Sequence, residues 1–555
     1  MRGREVFMDS LRAHGVTAIF GNPGTTENPV LDSLIDYPGI DYYVALHEGV
    51  AVGAATFYAQ ASGRVGVANL HVAPGLGNAI GMLYGALKGG APLVVTAGQQ
   101  DTRMRLRNPI LGHDLVAMAA PVTKWAVEPN SADELAPILR RAFKIALEPP
   151  AGPVFVALPI NVMEQETDIV ADTAGLLHLD TAPAPAGVAR LAELLASARN
   201  PAIVAGDDIC AQGATDAFRA LAERLGASVY VEFLRARQPL PFDHPNFRGR
   251  APYEAKRIAE LFAPHDLVLL IGGPFFEEVW YDHAPFFAAD CVVAQVESAH
   301  TRLATNLSLH LGLVGHLPAV FDALAAALDA RAETGERAAA TARQAALVEA
   351  RMAEAARFET QLGKLAGRTP MSATEAAVTV ARAMPADAIL VDESITGSGE
   401  VLGAFGLGRG DDYFAGRGGG IGQGVAGALG VAVAKPGRPV VVFSGDGSAM
   451  YSIQALWTAA HHALDIVFVI LANREYRILK HNLDTYRARF GIVTDKPYPH
   501  MNLGDPVLGF TELAQGMGVA ARQVTTAAAL DEAVREACAA GGPHLVEVLV
   551  AGKPD

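Results

Sequence analysis

Cysteine, tryptophan and charge are all scarce in this sequence. Its 555 residues include 3 cysteines and 3 tryptophans, and charged residues make up 19% of the chain. The cysteines, Cys210, Cys291 and Cys538, lie far apart without Cys-x-x-Cys spacing, which excludes a disulfide framework and a thiolate zinc site. Because such sparse use of cysteine is typical of a reducing compartment, we expect a cytoplasmic protein.

Positive charge is in deficit. Lys and Arg number 44 against 59 Asp and Glu, which gives a formal net charge of −15. A surface of this sign repels a phosphate backbone, and no basic tract offsets the repulsion. The composition therefore argues against nucleic acid as a partner.

Targeting and membrane signals are also lacking. The first 15 residues carry charges throughout and contain no apolar core, so we expect no secretory signal. Residues 65–87 carry no full charge and reach the roughly 20-residue length of a membrane-spanning helix. However, His71, Pro74 and Gly75 interrupt this stretch, which favours a buried strand, a glycine-rich turn and a buried helix. We therefore expect no membrane insertion.

Apolar residues and glycine are abundant instead. Hydrophobic residues make up 51% of the chain, and a length of 555 residues predicts three to four domains at about 150 residues each. Three segments repeat short Val/Ile/Leu-rich runs followed by Ala/Leu-rich helical stretches, as in parallel sheets with helical crossovers. We therefore expect an α/β fold with three doubly wound parallel-sheet domains. The predicted strands are 17–21, 41–46, 66–71, 91–98 and 153–159; then 201–208, 227–232, 266–273 and 291–297; then 388–394, 440–447, 465–473 and 544–550.

Composition also suggests domain boundaries. A Pro/Ala-rich passage around residues 181–187 is typical of a linker, and the Ala-, Glu- and Arg-rich stretch before residue 365 predicts a solvated connecting helix. We place the domains at 1–180, 185–330 and 366–555, with a helical connector at 331–365.

The clearest chemical signal lies in the third segment. A hydrophobic strand runs into the Gly-Asp-Gly-Ser run 445–448, and the next strand ends at Asn473. Because adjacent parallel strands deliver their carboxyl ends side by side, Asp446 and Asn473 are expected to meet. Their oxygens suit Mg²⁺, and Ser448 can bind an anion at a helix start. The pattern predicts a diphosphate held through a metal, although a tight turn with a helix N-cap would explain residues 445–448 alone.

The whole chain resembles the thiamine-diphosphate-dependent 2-oxo acid decarboxylase and acetolactate synthase superfamily. A Gly-Asp-Gly run followed at this distance by Asn is its cofactor motif, and the three segments match its order of pyrimidine-binding, middle and diphosphate-binding domains. FGNPGTTE, ALHEG, NLHVAPGLGNAIG, PLVVTAGQQ and GDGSAMYSIQALWTAA look like segments of the benzoylformate decarboxylases within it. The resemblance implies thiamine diphosphate and Mg²⁺ as cofactors.

The resemblance also implies which residues hold the cofactors. Asp446 and Asn473 would ligate Mg²⁺ together with the backbone carbonyl of Glu475; Ala472 replaces a second Asn of the family at a position that is not a ligand. Ile421 falls where the family has a large apolar side chain beneath the thiazolium, although core packing would explain it equally well. The residues that match positions around the phosphates and rings are Ser394, Thr396, Gly419, Gly445, Gly447, Ser448 and Tyr476.

Three residues match catalytic positions. Glu48 directly follows an apolar run, where a carboxyl group is costly to bury, and the resemblance implies that it hydrogen-bonds the pyrimidine nitrogen. His71 matches a histidine of the benzoylformate decarboxylases, and a neutral imidazole can exchange protons near neutral pH. Thr25 falls where that group has a serine that contacts the substrate carboxylate. From the sequence alone, a surface glutamate and a structural histidine remain open.

The sequence departs from the benzoylformate decarboxylases around the substrate. Val279 stands where their second catalytic histidine is expected, with His283 four residues on. Asn482 replaces an aromatic residue, and Ile478 replaces a small alanine. These departures leave open whether the 2-oxo acid is aromatic or aliphatic.

The resemblance implies a carboxy-lyase that converts a benzoylformate-like 2-oxo acid to an aldehyde without oxidation, with carboligation as a side activity. An acetolactate-synthase-like or benzaldehyde-lyase-like carboligase is the alternative. A nucleotide-binding regulatory protein is a second alternative, disfavoured because no Gly-x-Gly-x-x-Gly follows strand 266–273. The expected partners are a small-molecule 2-oxo acid, an aldehyde and further copies of the chain, in a homodimer or a tetramer that is a dimer of dimers.

Overall fold

Three six-stranded parallel sheets, flanked by helices, make up the computed structural model of this protein. The structure describes residues 1–177, 180–277, 279–331, 334–397, 399 and 403–552. The expectation of an α/β fold with three doubly wound parallel sheets is confirmed.

The first sheet has the strand order β2-β1-β3-β4-β6-β5. Its central strands are apolar on both faces because helices cover both sides; every residue of β4 and β6 is buried. The strands are β1 Ala18–Gly21, β2 Asp41–Val44, β3 Gly66–Leu70, β4 Leu93–Gln99, β5 Trp125–Val127 and β6 Pro153–Pro159. The α-helices of this segment are Gly3–Ala13, Asn28–Ser33, Glu48–Ser62, Val72–Lys88, Leu115–Ala119, Leu135–Leu147 and Ile160–Met163.

The middle sheet has the order β12-β11-β10-β7-β8-β9. Its strands are β7 Pro201–Ala205, β8 Ser228–Val231, β9 Phe247–Arg250, β10 Leu267–Ile271, β11 Val292–Glu297 and β12 Leu311–Val314. The α-helices are Pro185–Ser197, Asp208–Ala211, Thr215–Leu225, Ala255–Phe262, Leu317–Arg331 and Thr334–Leu365. The last of these is long and only weakly amphipathic, as its Ala-, Glu- and Arg-rich composition predicts.

The third sheet has the order β14-β13-β15-β16-β18-β17. Its strands are β13 Ile389–Glu393, β14 Tyr413–Ala415, β15 Val440–Gly445, β16 Ile466–Ala472, β17 Ala520–Val524 and β18 His544–Leu549. The strand order reverses between β13 and β15, and ligands of open α/β sheets bind at the carboxyl ends of such a pair. The α-helices are Ala373–Ala383, Gln423–Ala434, Asp446–Ala449, Ala455–His461, Arg477–Arg489, Phe510–Gly516 and Ala527–Ala540.

The chain divides into two compact units. One comprises residues 1–177, 366–400 and 415–555 and therefore holds most of the first and third sheets; the other comprises residues 178–365 and 401–414. In the described part of the chain, none of the helices is both long and apolar enough to cross a membrane.

Two helices of the first unit pack unusually closely. Helix Glu48–Ser62 lies against helix Gln423–Ala434, and a Cβ atom added at Gly53 would come within 2.7 Å of Ala426 Cβ. At Gly430 an added Cβ would overlap the Ala54 carbonyl oxygen, so only glycine permits this approach. Because Glu48 begins one of these helices and the loop with Ile421 precedes the other, the packing holds two predicted site segments in place.

Candidate active site

A cleft opens at the carboxyl ends of β13, β15 and β16. Ser394 directly follows β13, Asp446 follows β15 and Asn473 follows β16, so the strand order alone draws these residues together. The predicted cofactor and metal residues that line this cleft are Ser394, Thr396, Gly445, Asp446, Gly447, Ser448, Asn473, Glu475 and Tyr476.

Asp446 is held by backbone donors. Its Oδ2 accepts the Arg474 N–H at 2.7 Å and its Oδ1 accepts the Gly447 N–H at 2.7 Å. Burial raises the pKa of its carboxyl group to about 6, although these N–H groups act in the opposite direction. Asn473 is oriented in the same way, since its Oδ1 accepts the Glu475 N–H at 3.0 Å.

This donor set fits Mg²⁺. Asp446 supplies a carboxylate, Asn473 an amide oxygen and Glu475 a backbone carbonyl, which are the hard oxygen ligands that Mg²⁺ takes before phosphate and water complete its shell. The buried Asp446 carboxylate is 4% exposed, and a cation would relieve the cost of burying its charge. Among the described residues no three His, Cys, Asp or Glu side chains cluster as metal ligands, so a site here would depend on the amide and carbonyl oxygens.

A buried ion pair borders this donor set, and sequence reasoning missed it. Lys480 Nζ lies 2.5 Å from Glu475 Oε2, and the two side chains are 8% and 6% exposed. The Glu475 charge raises the pKa of Asp446, so Lys480 offsets negative charge beside the metal ligands. No sequence signal marks Lys480, because a lysine in the polar helix Arg477–Arg489 is usually solvated.

The loop that carries Gly419 and Ile421 is anchored to the end of β13. Glu393, the last residue of β13, accepts the backbone N–H groups of residues 422, 423 and 424 at 2.8 to 3.0 Å. Burial raises the pKa of the Glu393 carboxyl group to about 7, with the three N–H groups opposing the shift. Ser394 of this segment was predicted from the sequence, but Glu393 was missed. A carboxyl group at the end of an apolar strand, the same signal that marked Glu48, could have revealed it.

Glu48 begins helix Glu48–Ser62 and is 5% exposed, so the surface interpretation of this residue is wrong. Its Oε2 accepts the Asn78 side-chain N–H at 3.0 Å, and an added Cβ at Gly75 would lie 2.7 Å from its Oε1. Both neighbours belong to helix Val72–Lys88. The glutamate therefore lies along the first two turns of the helix that His71 caps.

His71 follows β3 and has an acidic partner that sequence reasoning missed. Its Nδ1 lies 2.7 Å from Oε2 of Glu27, a side chain that is only 1% exposed. Thr25 and Glu27 share a single turn of 3₁₀ helix, in which Thr25 is exposed. The neighbouring Thr26 hydroxyl, rather than that of Thr25, points inward and donates to Glu27 at 2.8 Å.

Three residues that directly follow predicted site residues have a strained backbone conformation. Val72, Ile395 and Arg474 have φ of 40°, 49° and 59°, a left-handed conformation that is costly for residues other than glycine, above all β-branched ones. Each directly follows a predicted site residue: His71, Ser394 or Asn473. Strain of this kind persists where surrounding contacts impose it and often marks functional sites.

The residues at which the sequence departs from the benzoylformate decarboxylases around the substrate lie in two different places. Ile478 lines the cleft and Asn482 lies on the same helix, Arg477–Arg489. Val279 is exposed and belongs to the other compact unit, as does His283, whose Nδ1 lies 3.1 Å from the Tyr281 hydroxyl.

Family models match all three segments of the chain. The N-terminal TPP-binding, central and C-terminal TPP-binding domains of thiamine pyrophosphate enzymes match residues 1–118, 188–324 and 403–548. The chain belongs to the thiamine pyrophosphate enzymes. The resemblance drawn from the sequence is confirmed at this level, and the three matched domains support thiamine diphosphate as the cofactor of this thiamine pyrophosphate enzyme.

Relatives of this thiamine pyrophosphate enzyme have different activities in their names. It is 34% identical to benzoylformate decarboxylase of Pseudomonas aeruginosa, over 97% of both chains. It is 31% identical to a Mycobacterium tuberculosis protein named as an acetolactate synthase large subunit, over 99% of both. A solved structure, the thiamine diphosphate-dependent 4-hydroxybenzoylformate decarboxylase of Rhodococcus jostii RHA1, superposes with a TM-score of 0.86 at 28% identity over 100% of both chains.

Proposed function

We propose that this enzyme catalyses the non-oxidative decarboxylation of a benzoylformate-like 2-oxo acid to an aldehyde, with carboligation as a side activity. The observation that carries the proposal is that one compact unit holds two half-sites, which two copies of the chain would combine. One is the cleft that holds Asp446, Asn473 and Ser394, and the other is the helix start where Glu48 and His71 lie. The similarity to decarboxylases acting on arylglyoxylates supports the same reaction class.

The chain's own residues would bind the metal and the cofactor, orient the substrate and transfer protons. Asp446, Asn473 and the Glu475 carbonyl would hold Mg²⁺, and Ser448, at the start of a short helix, would face the diphosphate. Thiamine diphosphate, when bound, supplies the nucleophilic carbon and accepts the electrons released with CO₂. Glu48 would hydrogen-bond the pyrimidine nitrogen, and His71 would deliver a proton to the product side. Thr25 would hydrogen-bond the substrate carboxylate.

An acetolactate-synthase-like carboligase is the second candidate, because a relative at 31% identity has that name. Bound FAD would favour it. The strand order of the middle sheet reverses between β7 and β10, where a dinucleotide would lie. The carboxyl group nearest this point, Asp208, is paired with Arg302 at 3.1 Å, so the local charge does not decide between the two candidates. The higher identity to benzoylformate decarboxylase, 34% against 31%, leads us to favour the decarboxylase.

Product analysis tests the proposal. The purified chain is incubated with thiamine diphosphate, Mg²⁺ and a panel of aromatic and aliphatic 2-oxo acids, and CO₂, aldehyde and 2-hydroxy ketone are quantified. We expect one aldehyde for each CO₂ in the absence of an added acceptor aldehyde, and no flavin absorbance in the purified protein. Ketone as the main product from the 2-oxo acid alone would identify a carboligase instead.

A further inference from the structure

The Glu27 carboxyl group is an almost completely buried acceptor. Its Oε1 accepts the Gly98 N–H at 2.8 Å and the Thr26 hydroxyl at 2.8 Å, and its Oε2 accepts the Gly24 N–H at 2.8 Å. These donors come from the turn after β1 and from β4, so two separate elements fix the position of the carboxyl group. A buried charge is tolerated only when it is paired in this way.

The fourth donor to this group is His71. Its Nδ1 lies 2.7 Å from Glu27 Oε2, on the same oxygen that accepts the Gly24 N–H. Three donors on its two oxygens fit Glu27 as a carboxylate, which only accepts hydrogen bonds, and Nδ1 is then the nitrogen that carries a proton. Nε2 is then the nitrogen that can exchange a proton with a bound molecule.

The surrounding backbone is built around this pair. A Cβ at Gly24 would overlap the His71 ring, and a Cβ at Gly98 would overlap Glu27 Oε1, so both glycines are needed for the approach. Val72, directly after His71, has a φ of 40°, and it is completely buried. Strain at a buried β-branched residue indicates that contacts around it, including the His71 pair, hold the turn in place.

We infer that Glu27 is a positioning residue that fixes the tautomer and orientation of His71. When Nε2 accepts a proton from a bound molecule, Nδ1 keeps its own proton in the hydrogen bond to Glu27. When Nε2 gives the proton back, the original tautomer is restored, so Glu27 takes up no proton itself. The inference rests on the proposed function for its kinetic part only, because the tautomer is a property of the free protein.

The first test measures the tautomer without any reaction. Histidine labelled with ¹⁵N is incorporated, and the His71 resonances are assigned by their loss in His71→Ala. We expect the neutral form of the wild-type His71 ring to carry its proton on Nδ1, and Glu27→Gln to change the tautomer populations. A neutral wild-type ring with its proton on Nε2, or identical spectra for both proteins, would overturn the inference even if the enzyme proves to have another activity.

The second test is a double-mutant cycle on decarboxylation. A misoriented ring can lose at most the contribution of the acid–base group itself, roughly 10²- to 10⁴-fold, so we expect Glu27→Gln to lower kcat by up to that factor with little change in KM. We expect the Glu27→Gln/His71→Ala double variant to be no slower than His71→Ala alone. If the loss of kcat in the double variant equals the product of the losses in the two single variants, Glu27 has a role independent of His71 and the inference is overturned.

Two further variants separate positioning from folding. Thr26→Val removes a hydroxyl that donates to Glu27 at 2.8 Å and lies 3.5 Å from His71 Nδ1, but it leaves the shorter Glu27–His71 contact of 2.7 Å, so its loss of kcat should be smaller than that of Glu27→Gln. Glu27→Asp retains the charge but withdraws it by one methylene group, and we expect an intermediate kcat at an unchanged unfolding temperature. A kcat for Glu27→Asp equal to wild type would contradict the geometric role, and the unfolding temperatures would identify any variant whose loss of activity reflects misfolding.

Discussion

At the scale of the residue, we propose that the Glu48 carboxyl group hydrogen-bonds the pyrimidine nitrogen of the cofactor. It is buried, and it accepts from Asn78 along the helix that His71 caps. An amide at this position retains the shape but cannot support the same proton equilibrium at the pyrimidine. We expect Glu48→Gln to fold and to bind thiamine diphosphate but to lose turnover by roughly 10²- to 10⁴-fold. Deuterium exchange at the reactive carbon of the cofactor measures this step directly, and exchange at the wild-type rate would refute the assignment.

Glu297 gives a pH-dependent prediction outside the candidate site. It is completely buried, and burial raises the pKa of its carboxyl group from the ordinary 4.5 to about 8. Because the folded state holds the proton more tightly than the unfolded state, the stabilisation is complete below about pH 4.5 and is lost as the pH rises through about 8. Between these two values the free energy of unfolding falls by about 1.4 kcal/mol for each pH unit.

The Glu297→Gln variant isolates this effect, because glutamine does not titrate while all other groups stay the same. We expect the unfolding temperature of the variant relative to wild type to increase from pH 5 to about pH 8 and then to level off. Thermal unfolding of both proteins at each pH measures the difference. Parallel curves for the two proteins would show that Glu297 does not titrate in this range.

Site residues whose signal is local could be identified from the sequence, and those whose partner is distant could not. Asp446 and Asn473 follow from strand ends and spacing, and the structure brings both into one cleft. Glu27 could not be predicted, because its partner His71 is 44 residues away and only the order of β1 and β3 joins them. Lys480 is buried only because Glu475 folds back against its helix. Such pairings depend on tertiary contacts that no local pattern contains.

At the scale of the element, the packing of helix Glu48–Ser62 on helix Gln423–Ala434 gives the next prediction. A Cβ at Gly430 would overlap the Ala54 carbonyl oxygen and lie 2.6 Å from the Tyr58 nitrogen. We expect Gly430→Ala to lower stability by about 1–3 kcal/mol, as overpacking does. Urea unfolding measures the loss.

Gly363→Ala is the matched control for this prediction. Gly363 is also helical, but nothing lies within 4 Å of an added Cβ, so alanine should leave stability unchanged or raise it by up to about 1 kcal/mol. Equal unfolding curves for Gly430→Ala and Gly363→Ala would contradict the close helix approach.

The strands that could not be predicted from the sequence share one property. They are β5, β9, β12, β14 and β17, and each lies at the edge of its sheet. Strands β5, β9, β12 and β17 are only partly buried, and β14 is buried but has three residues, so none has the apolar run that marks a central parallel strand. The predicted central strands all appear, because burial on both faces requires continuous Val, Ile and Leu.

At the scale of the whole molecule, assembly remains a prediction. The resemblance to the superfamily implies that one subunit supplies the pyrimidine half of a site and another the diphosphate half. Exposed apolar side chains at Leu106, Ile110, Phe490 and Val493 are in keeping with a covered surface. We expect light scattering to give two or four times the mass of the chain. A fully active monomer would contradict the shared site.

The most direct test of the proposed mechanism is the rate of CO₂ release by His71→Ala on the best 2-oxo acid. In that mechanism decarboxylation depends on a proton transfer by His71, which Glu27 holds in place. General acid–base groups contribute roughly 10²- to 10⁴-fold, so we predict a loss of that size at an unchanged unfolding temperature. A rate within about threefold of wild type, far below that range, would show that His71 has only a structural role.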